Sequence, residues 1–228
     1  MFSWLRMTAI IIVTAFLTRF IPFSAFFQNV NTLVHELAHA LAALLLKGSV
    51  LHIYLYADQS GVTYTSYTDS WMLIPIALAG YTGSALFSLL LFFLYAKGKA
   101  RFGLAIVAIA AGVALALFVR NDYGMAWSAG FLALTVLIYF AAPRWLRDFY
   151  YLLIAFICLV ESIISPFVLL YLAITEPASA GDAAGLSDVT GVPAFVWSAL
   201  FCFFSLWCAK IATSCLFRRG AGGILISK

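Results

Sequence analysis

Seven stretches of this chain are apolar over lengths that demand a hydrocarbon surrounding: residues 7–27, 31–46, 72–96, 103–119, 125–142, 149–174 and 194–217. A spanning helix needs about 20 apolar residues to cross a core ~30 Å thick. Inside lipid, only helices and closed barrels satisfy every backbone N–H and C=O, and runs of this length select helices. The chain is 65% hydrophobic and 10% charged over 228 residues, whereas ordinary soluble domains carry about 25% charge. It therefore lacks the polar surface a water-soluble fold requires. Arg19 and Pro22 interrupt the first run, which predicts a kink or an early end. The second run is short, about 24 Å at 1.5 Å per residue. The expected fold is mainly α: a polytopic membrane helix bundle with six to seven transmembrane segments, forming a single integral-membrane domain over residues 1–228. No cleavable signal peptide is expected, because the first run continues past Arg19 without a small-residue cleavage site. The net charge of +4 sits in short clusters between the apolar runs. That is a topology signal and not a nucleic-acid surface, so no nucleic-acid partner is expected. Cys158, Cys202, Cys208 and Cys215 lie inside apolar runs with no CxxC pair, and read as small core or lipid-facing residues.

The short second run, NTLVHELAHALAALLL from Asn31 to Leu46, carries His35, Glu36 and His39. One helical turn separates the two histidines, so both imidazoles can reach one metal ion. Glu36 stands beside them, where a carboxylate can take a proton from water on that metal. This is the H-E-x-x-H spacing of zinc metallopeptidases. In a soluble helix it could be a solvated polar face. Within hydrocarbon, polar groups are costly unless paired, and they mark function. Zn²⁺ is the expected cofactor.

Downstream, SVLHIYLYADQSGVTYTSYT alternates β-branched and aromatic residues with polar ones around a turn at Asp58 to Gly61. This predicts a β-hairpin, 49–56 with 61–66, immediately after the motif helix. His52 in its first strand reads as a hydrogen-bonded residue and not as a ligand. The small residues of AGYTGSA, 79–85, give the third run a face for close helix packing. Arg120 to Gly124 reads as a connecting turn. Glu161 lies deep in the sixth run, where a carboxylate is expected to be paired, protonated or metal-bound. Residues 175–193 form the one extended polar loop after the hairpin, with acids at Glu176, Asp182 and Asp188.

Basic residues cluster at Lys97, Lys99 and Arg101, at Arg144 and Arg147, and at Arg218, Arg219 and Lys228. Each cluster is two runs from the next, so all three share one side. The positive-inside rule makes that side cytoplasmic and the 175–193 loop external. Counting back puts the N-terminus outside, against the mild signal of Arg6.

Taken together, HELAHALAALLLKGSVLHIYL, DQSGVTYT, AGYTGSALF, RNDYG and GDAAGLSDVTGVPAFVW resemble the membrane-peptidase-like branch of the site-2 protease family, over about Asn31 to Trp197. The resemblance implies an intramembrane zinc metallopeptidase acting on peptides or membrane proteins, multi-pass in a bacterial plasma membrane. It implies His35 and His39 as metal ligands, Glu36 as the catalytic base activating a zinc-bound water, and Asp182, in Gly181-Asp182-Ala183, as the third ligand. The better-known members take that ligand from an Asn-Pro…Asp-Gly motif, which this chain lacks.

Three acids remain open as the third ligand: Asp182, Glu161 and Asp122. The span count starts the 31–46 helix at the cytoplasmic face, with His35 near it, and leaves Asp182 outside, a bilayer thickness away. Asp182 would then reach the histidines only if the motif helix or the hairpin re-enters. Substrate is expected to add as a strand to an exposed hairpin edge. Two other functions fit the same residues. One is a non-catalytic scaffold or chaperone with a structural or degenerate metal site, which would not need Glu36. The other is a metal transporter, which the absence of an internal repeat disfavours. Nothing in the pattern speaks to the oligomeric state.

Overall fold

The computed structural model describes Ile12 and residues 24–223, with side chains up to residue 216. Most of the 7–27 run, including Arg19 and Pro22, lies outside the described residues, as does Arg6. So do Lys228 and the side chains of Arg218 and Arg219. The elements are α1 (Ser24–Leu45), β1 (Ser49–Leu55), β2 (Gly61–Ser66), α2 (Leu73–Ala96), α3 (Ala100–Val113), α4 (Asp122–Ala141), α5 (Arg144–Thr175), α6 (Gly181–Thr190) and α7 (Ala194–Gly223). The protein is mainly helical with one two-stranded antiparallel sheet. Among the described residues, five helical segments are long and apolar enough to cross a membrane: Ser70–Ala96, Ala100–Phe118, Asp122–Ala141, Arg144–Thr175 and Ala194–Leu216. It is an integral membrane protein. The expected count of six to seven is not reached among these residues, because α1, rich in Gln, Asn, His and Glu, does not join the five.

Two expectations are corrected. The motif helix reaches back at least to Ser24, well before Asn31, because buried Gln28, Asn29 and Asn31 hide these turns from a hydropathy reading. Asn29 Nδ2 donates to the Tyr123 hydroxyl at 2.8 Å. His39 therefore lies about 22 Å along α1, nearer its Leu45 end. The 175–193 segment is also not simply a loop, since α6 fills its middle. Ala183 and Leu186, spaced three apart, are fully buried against Ala77, Leu169, Ala194 and Phe201. That is an apolar stripe too narrow for composition to reveal.

Contacts at the helix ends place the connections. The Arg101 guanidinium sits 4.8 Å from the Tyr139 ring, and Tyr95 stacks with Tyr151. The basic 97–101 and 142–147 connections thus share one end of the bundle. The start of α2 and helix α6 meet at the opposite end.

The hairpin register pairs Ser49 with Ser66 and Leu55 with Gly61, with a bulge between Val50 and His52. Two residues at 120–121 hold it. Asn121 exchanges two hydrogen bonds with the Leu55 backbone, at 2.6 and 3.1 Å, and the Arg120 N–H donates to Ile53 O at 3.2 Å. The α3 helix ends in a π-helical turn, Ala114–Phe118, whose Ala116 and Leu117 carbonyls accept from the Arg120 guanidinium at 3.2 and 2.7 Å. The turn expected at 120–124 is thus a clamp for the sheet.

Candidate metal centre

The α1 and α2 helices touch where α2 has no side chains to hold them apart. A Cβ on Gly83 would lie 2.5 Å from the Ala38 Cβ, and one on Gly80 would collide with the Nε2 atoms of His39 and His35. Close approach at small residues is the ordinary packing device of membrane helices. At Gly80 the missing side chain has a second consequence: it leaves open the volume into which both imidazoles point.

The two Nε2 atoms stand 2.9 Å apart. Asp182 Oδ2 lies 3.3 Å from each of them. It arrives from the first turn of α6, and Gly181, at φ 41°, turns the chain ahead of it in a conformation that favours glycine. Ligands 2.0–2.2 Å from a tetrahedral zinc ion stand about 3.3–3.6 Å apart; the two nitrogen–oxygen separations of 3.3 Å meet this, and the 2.9 Å between the imidazole nitrogens is a few tenths of an ångström shorter. Asp182 Oδ2 is buried and makes no hydrogen bond of good geometry. Burial alone would push the Asp182 carboxyl up, but neighbouring His39 and His35 reverse this and hold it well below the usual carboxylate range.

The second ring nitrogen of His39 is also engaged. Nδ1 lies 2.7 Å from Ile76 O, and donating its N–H there leaves Nε2 with its lone pair toward the cluster. Metal-ligating histidines are oriented in this way by their other nitrogen. The donor set, its spacing and the unpaired oxygen all fit a zinc ion.

Glu36 is 4% exposed and lines the same cavity, about 390 Å³, as His35, His39 and Asp182. Strand β2 runs alongside it. Thr63 Oγ1 donates to Glu36 Oε2 at 2.6 Å, and Gly61 is so close that a Cβ there would stand 2.7 Å from Oε1. Thr32 on α1 donates to Gln59 O at 2.8 Å and ties the hairpin tip to the same helix.

The other candidates lie elsewhere. Glu161 lines a neighbouring cavity, and Asp122 occupies the first turn of α4. His52 stacks between Tyr54 and Tyr64, with ring centroids 4.5 Å away. Among the described residues, His35, His39 and Asp182 form one group close enough to share an ion, with ligand atoms within 4.8 Å. Asp182 needs no re-entrant helix to get there. His39 packs one turn from the start of α2, at the end of the bundle where α6 sits.

Sequence reasoning passed over Thr63, Gly80 and Tyr81, whose ring meets that of His35 edge-on at 4.6 Å. The period of two in β2 places Thr63 on the face of Gly61, and that signal was available. Gly80 reads in the sequence as a packing residue alone.

Among known proteins, the Peptidase M50B-like family matches residues 7–212. No curated protein and no solved structure matches the chain.

Proposed function

Because this chain belongs to the Peptidase M50B-like family, that of the site-2 proteases, we propose that it is an intramembrane zinc metallopeptidase hydrolysing peptide bonds of membrane-associated substrates. In this reading His35, His39 and Asp182 hold the zinc ion and Glu36 is the general base. The observation that carries it is the approach of Asp182 Oδ2 to within 3.3 Å of both imidazoles in a cavity shared with Glu36. When bound, zinc would polarise the scissile carbonyl and lower the pKa of the attacking water toward ~7.

The chain's own groups do the rest. Glu36 takes a proton from the attacking water and passes it to the leaving nitrogen. The Thr63 hydroxyl, 2.6 Å from Oε2, fixes the carboxylate and leaves Oε1 to work. The Ile76 carbonyl holds the His39 ring in place. Among the described residues strand β2 pairs with β1 on one side only, and Gly61, Val62, Thr63 and Thr65 border the cavity. A substrate segment unwound into a strand can therefore pair with β2 and present its backbone to the site. The basic connections at one end orient that end to the cytoplasm of a bacterial plasma membrane.

The test is co-reconstitution with a membrane-segment reporter. Wild-type protein with about one zinc per chain should cleave it, and Glu36→Gln should retain zinc and cleave none. Undiminished cleavage by Glu36→Gln would refute the assignment, and a zinc-loaded wild type inert toward every membrane segment tried would favour a scaffold.

A further inference from the structure

When water adds to an amide, the carbonyl double bond becomes single and its electron pair settles on oxygen. Hydrogen-bond donors already aimed at that oxygen are usually the largest single aid to such a step. Three hydroxyl side chains border the cavity of His35, Glu36, His39 and Asp182 among the described residues: Thr63, Thr65 and Tyr81. Thr63 is committed, donating to Glu36 Oε2 at 2.6 Å. An adjoining space of about 230 Å³ separates the other two. His35, Glu36, Gly61 and Tyr81 border both spaces, whereas Thr65 borders only the first of them. Tyr81 therefore stands where the two spaces meet, beside the base and one candidate ligand.

Its ring is held on two sides. Gly80 clears the volume for the imidazoles, and the next residue sets its ring against one of them. Tyr81 meets the His35 ring edge-on, at 4.6 Å and 82°. Phe201, 2% exposed, packs on Tyr81 at 4.8 Å and 30°. A phenol withdrawn from water normally finds a hydrogen-bond partner, and other tyrosines of this bundle do. Tyr150 bonds Thr135, Tyr151 donates to Leu91 O, and Tyr123 accepts from Asn29. The Tyr81 hydroxyl has no such partner among the described residues. It is a donor on a fixed ring that borders the cavity, with its hydrogen uncommitted.

We propose that Tyr81 is a further catalytic residue, its hydroxyl donating a hydrogen bond to the scissile carbonyl oxygen as negative charge develops there. This rests on the peptidase reading of the centre. No reactant beyond water enters. The water oxygen bonds to the carbonyl carbon, Glu36 takes its proton, and the carbonyl π pair moves onto oxygen. On collapse that pair re-forms the carbonyl, the C–N bond breaks, and the proton passes from Glu36 to the leaving nitrogen. Tyr81 keeps its own proton throughout, as a phenol does at neutral pH. A neutral donor also suits this setting, because a cation is costly to hold within an apolar bundle.

The test uses full-length, zinc-loaded protein in nanodiscs, an apolar membrane-segment peptide, and its phosphinic analogue, in which a tetrahedral phosphinate replaces the scissile amide. Tyr81→Phe keeps the ring against His35 and Phe201 and removes only the hydroxyl. It should lower kcat about hundredfold, the usual cost of losing one such donor, with zinc content unchanged. The Kd of the phosphinic peptide should rise about tenfold or more, as expected for one hydrogen bond to a charged group. The Kd of the amide peptide, measured on the Glu36→Gln chain with and without Tyr81→Phe, should stay within about twofold. Selective weakening of the phosphinic peptide with no cleavage by wild type keeps Tyr81 as the donor and refutes the peptidase. Unchanged phosphinic-peptide affinity in Tyr81→Phe overturns the proposal whether or not wild type cleaves. Loss of zinc, or equal weakening of both peptides, also overturns it and leaves Tyr81 a packing residue.

Discussion

Replacing Gly80 by Ala tests the site through a residue that touches no substrate. The added Cβ would stand 2.5 Å from His35 Nε2 and 2.6 Å from its Cε1, and closer still to His39 Nε2. Ordinary contact begins at about 3.4 Å, so the rings must recede by about 0.9 Å, while zinc–ligand distances tolerate about ±0.2 Å. The α2 backbone cannot yield in their place, because Gly83 is already against Ala38. Changes that merely disturb ligand orientation cost 10–100-fold in metal affinity, so a direct displacement of two ligands should weaken zinc about hundredfold or more. Helix propensity works the other way, favouring Ala by about 1 kcal/mol in a helix interior, so the loss would be steric in origin. Gly83→Ala is the control. It overpacks the same helix pair, at a typical cost of about 1–3 kcal/mol, without touching a histidine. Zinc affinity measured by equilibrium dialysis against a graded series of chelators should fall for Gly80→Ala and stay near wild type for Gly83→Ala. Unchanged zinc affinity in a folded Gly80→Ala protein would refute the placement of the imidazoles.

Thr63→Val removes the hydroxyl that donates to Glu36. Hydrogen bonds to charged groups are worth about 1.5–3 kcal/mol, so kcat should drop about tenfold with zinc content unchanged, and zinc loss would contradict a role through Glu36 alone. Asn121→Ala cuts both side-chain bonds to Leu55, and hydrogen exchange should speed up selectively in β1. Uniform exchange across the hairpin would show that the clamp is elsewhere. Cysteines at exposed Lys99 and Arg144 should label from one side of the bilayer and a cysteine at Asp188 from the other. Labelling of Lys99 and Arg144 from opposite sides would overturn the arrangement of spans.

Helices driven by uninterrupted apolar runs were legible within a few residues. The runs expected at 72–96 and 194–217 appear as Leu73–Ala96 and as a helix starting at Ala194, because burial in lipid and helix formation depend on the same side chains. The hairpin was legible for a different reason: the period-two alternation and the Asp58–Gly61 turn act locally, and the strands run Ser49–Leu55 and Gly61–Ser66. Elements whose stability comes from contacts distant in sequence were not. Helix α6 exists because Ala183 and Leu186 find Ala77 and Phe201, and nothing within its ten residues announces that pocket. The early start of α1 depends on Asn29 meeting Tyr123, 94 residues away.

At the site, the helical spacing of His35 and His39 was legible because it is a property of four consecutive residues. The contact of Asp182 with them was a matter of long-range geometry, and three acids stood open for it. Asp182 is not a bilayer thickness away because α1 is longer than its apolar run. Because α1 reaches back at least seven residues before Asn31, His39 lies at the end of the bundle where α6 sits. Gly80 was misjudged because an absent side chain has no chemistry to read until its neighbours are known.

The peptidase reading requires hydrolysis of a peptide bond at the Glu36 centre. Zinc-loaded wild-type protein in nanodiscs, incubated with membrane-segment peptides in ¹⁸O-water, tests it through mass spectrometry of the products. New C-termini within the apolar segment should carry ¹⁸O, formed by wild type and absent with Glu36→Gln of equal zinc content. Labelled products formed equally by both proteins, or by neither, would contradict it.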